Sequence, residues 1–351
     1  MFFNKGALQF LLLTGILSCL PVFADEAPTP QQALQNFGIN AEQITDLERG
    51  EIIAYEIPET SQKELAIGVA MILPVALPQI INYIKQGMLT ATESGIIASA
   101  PLTDKSDITS FKKFAFTNKH LDEAKAFLNA EPGDKFNLSQ PELDRLKSLQ
   151  PSLTRANNKT LLKKASQNYR ELLLQRWQAY RKSGLSGIAV YSRENGTDDP
   201  AEELRKNAIN SKVLTRYFPE LQQVWKNYPG VLPPNSTEQF LWMNSSVEGR
   251  PTAILTHRIM VSSESGGILL SRQFYVGHSY DSSQVAAGGL PYKEGTLVFY
   301  SSRSATGQVA GIGSSLKRLI GREQMKQEMI NRLQRLNKDL KRKSVLTSSN
   351  N

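Results

Sequence analysis

The sequence predicts an α+β fold in which an antiparallel sheet grips a long C-terminal helix and carries a helical insertion. Three observations predict it. Strand patterns occupy two separated stretches, residues 50–118 and 236–303. The segment between them, 119–235, has helical spacing almost throughout. The chain then closes with apolar residues at spacings of three and four over 314–342, which is typical of an amphipathic helix.

Residues 1–24 are predicted to be a secretory signal. Lys5 precedes an apolar run, "ALQFLLLTGIL", that is too short to span a bilayer comfortably. The small residues of "VFA" predict cleavage before Asp25, and hence a periplasmic or secreted protein. Two alternatives stay open: an uncleaved membrane anchor, and a lipoprotein with Cys19 of "ILSC" lipidated. Because Cys19 is the only cysteine, cleavage after Ala24 would leave no disulfide.

The elements before the insertion follow from local patterns. Residues 25–49 begin with a polar, Pro-containing stretch and are predicted to be a flexible leader. An apolar stripe predicts a helix over 76–87, after Pro74 and up to Gly87. Four stretches have strand character: 50–57, 64–73, 94–102 and 111–116.

The predicted insertion, 119–235, has clear helix signals. Ser139 and Glu142 form a capping-box pattern. A stripe of apolar and aromatic residues over 159–182 predicts a helix that packs in a core. Pro200 stands at the first position of a further helix. The segment 187–193 is the one strand-like interruption.

The last third is predicted to be an antiparallel meander followed by the closing helix. Short polar turns separate its strand patterns, and the Gly-rich stretch 286–295 is predicted to connect the last two. Residues 236–343 would complete the sheet and helix, and 344–351 would form a disordered tail. The strand patterns lie at 239–244, 252–261, 268–277 and 296–303.

This order of elements resembles the helix-grip fold of START-like proteins, the superfamily of polyketide cyclases, birch-pollen-type allergens and lipid-transfer domains. "LAIGVAMILPVALPQIINYI" is similar to their first strand and following helix, and "SSLKRLIGREQMKQEMINRLQRLNKDL" to their closing helix. The resemblance covers residues 60–117 and 236–342. It implies a cavity between sheet and helix that holds a hydrophobic ligand, and no shared catalytic residues. More loosely, the chain resembles uncharacterised secreted bacterial proteins.

Basic side chains interrupt the more apolar face of three successive strands. His257, Arg272 and Arg303 each share a face with apolar neighbours, and His278 follows in the register of Arg272. A buried cation needs a partner, since leaving it unpaired costs several kcal/mol. That partner is either an internal acid, with Asp281, Glu264 and Glu294 near in sequence, or an anionic ligand. The ligand interpretation predicts a binding set of His257, Arg272, Phe274, His278, Arg303 and Trp242.

The leading functional prediction is therefore an exported binding protein for a hydrophobic or amphipathic, anionic, lipid-like molecule. One alternative is a non-catalytic envelope interaction protein that uses the insertion. Another is a hydrolase or cyclase that uses His257, His278 and Asp281. The three histidines lack metal-ligand spacing, and the catalytic motifs considered are absent or incomplete, so no metal or cofactor is expected.

The charge distribution points to a membrane surface and away from nucleic acid. Residues 316–343 hold ten basic and three acidic residues, while the rest of the chain after residue 24 balances at 30 of each. The basic character thus belongs to one helix, so nucleic acid is not expected as a partner. Lys338, Lys341, Arg342 and Lys343 are predicted to contact an anionic membrane peripherally.

Overall fold

A computed structural model describes residues 27–89, 95–310 and 313–348 of the chain. The predicted signal over 1–24, with its cleavage and lipidation sites, lies outside these ranges. Among the helices that lie within them, none is long and apolar enough to cross a membrane.

Within the described residues the main sheet has eight strands, all paired antiparallel with their neighbours. They are β1 (Ile53–Tyr55), β2 (Glu64–Leu73), β3 (Ile96–Leu102), β6 (Ser236–Val247), β7 (Arg250–Ser262), β8 (Gly267–Val276), β9 (Ser282–Tyr292) and β10 (Gly295–Ala305). Their spatial order is β1-β2-β10-β9-β8-β7-β6-β3. The first long strand therefore lies beside the last, and β3 pairs with β6 across the whole insertion. A separate hairpin, β4 (Tyr191–Arg193) and β5 (Gly196–Asp198), lies within the insertion.

Helices occupy four places along the described chain. Two precede the sheet, one follows β2, six lie in the insertion and one closes the chain. They are α1 (Pro30–Asn36), α2 (Ala41–Glu48), α3 (Leu77–Lys85), α4 (Leu121–Leu128), α5 (Gln140–Leu153), α6 (Asn158–Ser183), α7 (Pro200–Ile209), α8 (Lys212–Tyr217), α9 (Pro219–Asn227) and α10 (Ser314–Ser348).

Local sequence explains several helix starts. The capping box predicted at Ser139 and Glu142 is confirmed, since the Glu142 carboxylate accepts a hydrogen bond from the Ser139 backbone N–H at 2.7 Å. Thr29 and Asn40 form capping boxes at the starts of α1 and α2. The prediction of a flexible leader over 25–49 is therefore wrong for these two helices. Ala33 and Leu34 explain why, because their burial against the sheet holds α1 in place.

The two faces of the sheet are covered by different parts of the chain. We call one the α10 face, because α3 and α10 pack on it through a cluster that includes Val69, Val298 and Leu333. We call the other the insertion face. It packs against α1 and α2 near β1 and β2, and against the insertion elsewhere. The insertion shares one hydrophobic cluster with the sheet, in which Tyr180 of α6 stacks on Phe274 with ring centroids 3.8 Å apart.

Three other predicted elements differ in the structure. The Gly-rich stretch 286–295, predicted to be a connection, forms most of β9, a central strand held by hydrogen bonds on both sides. The stretch 111–116 is not a strand: a 3₁₀ helix covers Ile108–Phe111, and the phenylalanines that follow are anchored in the core. The helix α10 continues to Ser348, past the boundary predicted at 343, and the disorder predicted for 344–351 stays a prediction.

Candidate ligand-binding site

A cavity of about 90 Å³ separates the α10 face of the sheet from α3 and α10. This volume is several times the ~10–15 Å³ that one buried water needs. The apolar part of its wall comes from four strands and both helices. It consists of Met260, Leu269, Val285, Ala287, Val298, Leu77, Ile80, Ile81, Ile84, Leu89, Leu333 and Leu336, together with Gly267, Ile268, Gly288 and Gly289.

The cavity exists because the central strands carry small residues on this face. Alternate residues of a strand share a face, so Ala287 and Gly289 both lie beneath the helices. Ser271 and Ser283 lie farther along the same face on β8 and β9. Protein interiors are normally packed without large voids, so a run of small residues under two helices leaves room that large side chains would fill.

One part of the wall is polar and cationic. Arg258 of β7 and Arg332 of α10 both line the cavity, together with Gln273 and Tyr300. Arg332 Nη1 donates to the Tyr300 hydroxyl at 2.8 Å, and its Nη2 lies 3.9 Å from a carboxylate oxygen of Glu328. The described part of the lining contains two guanidinium groups and no carboxylate. A cavity of this kind can hold an apolar group and stabilise an anion beside it.

Arg272 lies elsewhere, on the insertion face, and so do His257 and Phe274. Arg272 is fully buried. Its Nη1 donates to the Tyr180 hydroxyl at 3.0 Å, its Nη2 donates to the Trp225 carbonyl at 2.7 Å, and its guanidinium carbon lies 4.1 Å from the Trp225 ring centroid. The prediction that Arg272 faces a ligand cavity is wrong, because the insertion covers that face and supplies its partners.

A hydrogen-bonded chain continues from this arginine. Tyr180 Oη lies 2.9 Å from His257 Nδ1, and His257 Nε2 lies 3.1 Å from the Glu238 carboxylate. Burial lowers the pKa of His257 to about 4, so the ring is neutral at pH 7. With one N–H donated to Glu238, the other ring nitrogen accepts from Tyr180. Tyr180 and His257 are thus satisfied without a ligand, whereas Arg272 Nε is buried with no hydrogen-bond partner among the described residues.

The remaining predicted site residues also have internal partners or a purely packing role. Trp242 is fully buried among the aromatic residues of the insertion face and donates to the Ser110 carbonyl. Arg303 donates to the Glu64 carboxylate at 2.8 Å, so its partner is an internal acid, though not one of the three acids near it in sequence. His278 is buried and contacts the Thr252 hydroxyl at 2.7 Å.

A β-bulge explains why His278 does not continue the register of Arg272. In the pairing of β7 with β8, Tyr275 lies opposite Leu255 while Gln273 lies opposite Thr256, so Phe274 is the extra residue. Beyond it the alternation of faces is reversed. The alternation of residues in the sequence does not reveal where such a bulge occurs.

His257, His278 and Asp281 do not form a common site. Each is buried, and their hydrogen-bonding partners are different residues. Burial raises the pKa of Asp281 to about 6, and its carboxylate accepts a hydrogen bond from Arg193 at 2.7 Å. Within the described ranges, His, Cys, Asp and Glu nowhere form a group of three that could hold a metal ion. This arrangement does not favour the hydrolase or cyclase hypothesis.

Sequence reasoning missed both cavity arginines. Arg258 follows His257 directly and therefore points to the opposite face. Arg332 is one of the ten basic residues of 316–343, but it precedes Leu333 and lies at the edge of the buried stripe. The available signal was the alternation itself, which places a cation on each face of β7.

Comparisons with protein-family models, with curated proteins and with solved structures find no match to this chain. The geometry of the cavity is therefore the observation from which a function can be inferred.

Proposed function

We propose that this protein binds a hydrophobic or amphipathic, anionic small molecule of the lipid type. The observation that carries the proposal is the cavity under α3 and α10, whose wall is apolar except for a part that includes Arg258 and Arg332. Burying an alkyl chain contributes about 0.8 kcal/mol per methylene. The guanidinium groups would add specificity for a carboxylate or phosphate.

The fold that we propose for this cavity is START-like. Its support is the order of strands in the sheet. The strand β2 lies beside β10, and β9, β8, β7, β6 and β3 follow in that order. The closing helix α10 packs across β2 and β10, as a helix gripped by a sheet does. In this interpretation β1, α1 and α2 are additions at one edge, and the insertion separates β3 from β6. Export to the periplasm or beyond remains part of the proposal.

A pair of arginine variants tests the anion site. Arg332 and Arg335 both contact the Glu328 carboxylate, at 3.9 and 3.2 Å, but only Arg332 is part of the described cavity wall. Binding of cis-parinaric acid and of its neutral methyl ester would be measured by fluorescence. The parent protein should prefer the acid. Arg332→Gln should reduce that preference by roughly 10- to 100-fold, the equivalent of one charged hydrogen bond.

Arg335→Gln is the matched control and should leave the preference unchanged. Native mass spectrometry of the exported protein, followed by solvent extraction, would then identify the ligand that it carries. Failure of the parent protein to bind either probe would overturn the proposal. Equal effects of both variants would show that the cavity does not select the anion.

A second candidate function, interaction with an envelope protein, is favoured by one surface where the insertion meets the segment before it. An open cleft of about 550 Å³ lies between the 3₁₀ helix at Ile108–Phe111 and α6, and Lys112, Lys163 and Arg170 line it. Its charge suits an acidic segment of a partner. Charge reversal at Lys112 and Lys163 should abolish a cross-link to such a partner, and binding of the lipid probe should not change.

A further inference from the structure

A second cavity lies on the insertion face, behind the first. It also has a volume of about 90 Å³, and α1, α8 and the sheet enclose it. The two cavities share the stretch of β8 and β9 that contains Gly267, Gly288 and Gly289, so they lie back to back on the sheet. The second cavity is lined by Ala27, Pro28, Ala33, Asn36, Phe37, Tyr55, Ser211, Val213, Tyr217, Phe218, Ile268, Ala286, Leu290, Phe299 and Ser301, in addition to the three glycines.

Its chemistry differs from that of the first cavity. Among the described residues of its wall, none carries a formal charge, whereas the first cavity has two arginines. Aromatic rings provide much of the wall, and Phe37 lies 4.6 Å from Tyr55 and 4.7 Å from Phe299 between ring centroids. Burial raises the pKa of the Tyr55 hydroxyl, so it stays neutral. Such a wall suits a neutral ring system, because an ion would lose its hydration without gaining a partner.

Gly288 has no other structural explanation. Its φ is not positive, so its backbone does not require glycine. A Cβ atom built on it would have one neighbour within 4 Å, the Gly267 carbonyl oxygen at 3.8 Å, so close packing does not require glycine either. Gly289 differs, since a Cβ there would lie 2.9 Å from Leu77 Cδ1. Glycine inside a strand costs stability and often marks a place where a ligand approaches the backbone. At Gly288 that place is the second cavity.

The rim of the cavity is polar. Asn36 of α1 donates from its side-chain amide to the Tyr217 hydroxyl of α8 at 2.8 Å, on the solvent side. Tyr55 has a buried hydroxyl without a hydrogen-bond partner among the described residues, and its ring crosses over Gly68. We propose that the cavity between α1, α8 and the sheet is a second binding site, for a small, neutral, ring-containing molecule.

The test uses N-phenyl-1-naphthylamine, a neutral aromatic probe whose fluorescence rises in apolar sites. Gly288→Leu places a side chain in the second cavity, and Ala287→Leu, one residue earlier on the opposite face, places the same side chain in the first. The parent protein should bind the neutral probe. Gly288→Leu should weaken that binding by about tenfold or more, since one methylene in a pocket can change affinity by that factor.

Ala287→Leu should leave binding of the neutral probe unchanged and weaken binding of cis-parinaric acid, and Gly288→Leu should do the reverse. Val213→Phe fills the second cavity from its helical wall and serves if Gly288→Leu does not fold. If neither filling variant weakens the neutral probe, or if the parent protein does not bind it, the second site does not exist. These outcomes leave the result with the anionic probe, and hence the first site, unaffected.

Discussion

Arg272 and Arg303 are both held inside the protein, but by different kinds of partner. Arg303 faces Glu64, a fully buried carboxylate that also accepts from the Thr60 hydroxyl at 2.8 Å. Arg272 faces a hydroxyl, a carbonyl and an indole ring, and no acid of the described ranges is among its hydrogen-bond partners. Removing each arginine therefore leaves behind groups of different charge, and the two losses should differ in size.

Arg303→Met should lower the free energy of unfolding by about 3–5 kcal/mol, because it leaves the Glu64 charge buried and unpaired. Arg272→Met should cost less, about 1–3 kcal/mol, since it leaves only neutral groups without a donor. Neither change should alter binding of cis-parinaric acid. Urea denaturation and the fluorescence assay measure the two effects. Loss of ligand binding in a folded Arg272→Met protein would contradict the assignment of its face.

The buried titratable residues predict how stability depends on pH. Burial lowers the pKa of His257 and His278 to about 4. Between about pH 6.5 and pH 4 these histidines are therefore protonated in the unfolded state but neutral in the folded state. Stability from these histidines is present above pH 6.5 and is lost as pH falls. Asp281, with its pKa raised to about 6, has the opposite effect, since its contribution is lost as pH rises from about 4 to 6.

Because the effect of the two histidines exceeds the opposite effect of Asp281, the free energy of unfolding should be lower at pH 4.5 than at pH 6.5, by about 1 kcal/mol or more. Asp281→Asn should steepen this dependence, and His278→Gln should flatten it. Urea denaturation at several pH values measures the slopes. A stability that rises on acidification over this range would show that Asp281 outweighs both histidines.

At the residue scale, the sequence could predict which residues share a face but not what covers that face. The alternation in β7 and β8 correctly placed His257 and Arg272 on one side of the sheet. It could not show that the insertion packs there, because that contact joins residues about a hundred positions apart, such as Tyr180 and Arg272. Arg258, one residue after His257, was therefore overlooked.

At the scale of elements, α10 has two parts with different surroundings. The predicted apolar stripe is buried from Met329 to Leu340, where it packs on β2 and β10. At the start of the helix Leu316, Leu319 and Ile320 are exposed, although the same spacing predicted that they face the sheet. The periodicity of a helix predicts a stripe, but the length over which a sheet can cover it depends on the whole fold.

Two matched leucine variants test this division. Leu340→Ala should lower the free energy of unfolding by about 2–5 kcal/mol, because it opens a cavity in the core. Leu319→Ala, at a residue that is 62% exposed, should change it by less than about 0.5 kcal/mol. Thermal and urea denaturation provide the measurement. A comparable cost at both positions would mean that the start of α10 is covered in solution.

The strand β9 shows a second limit at this scale. Its sequence contains Gly288, Gly289 and Pro291, which are turn formers by local propensity. The neighbouring strands β8 and β10 override that propensity by pairing with it on both sides. The same glycines leave room for the cavities. The residues that led to the prediction of a connection in place of a strand therefore also create the candidate sites.

At the scale of the whole molecule, the α+β class, the antiparallel sheet and the long closing helix were predictable from the order of patterns. The assignment of faces was not, since it depends on where the insertion, residues 119–235, packs against the sheet. The insertion and α10 lie on opposite faces. Arg258 and Arg332, which line the first cavity, thus come from elements expected to form a cavity but were not in the predicted binding set.

The charge of α10 is the last feature of the whole molecule that bears on function. Near the start of the helix Arg318 and Arg322 pair with Glu59, and in its middle Arg332 and Arg335 contact Glu328. Towards its end Lys338, Lys341 and Arg342 are exposed, as the predicted membrane contact requires, while the side chain of Lys343 lies outside the described part. The exposed positive charge is thus concentrated near the C-terminal end.

We expect the protein to bind anionic vesicles in a salt-sensitive way through this end. Each Lys or Arg near an anionic surface adds about 1 kcal/mol of attraction, and salt screens it. Replacing Lys338, Lys341, Arg342 and Lys343 by Gln should abolish flotation with anionic vesicles at low salt. The control replaces four exposed lysines of the insertion, Lys147, Lys159, Lys164 and Lys182, and so removes the same charge elsewhere. Equal losses in both variants would mean that only net charge matters. Flotation of the parent with neutral vesicles as well as with anionic ones would exclude the electrostatic contact.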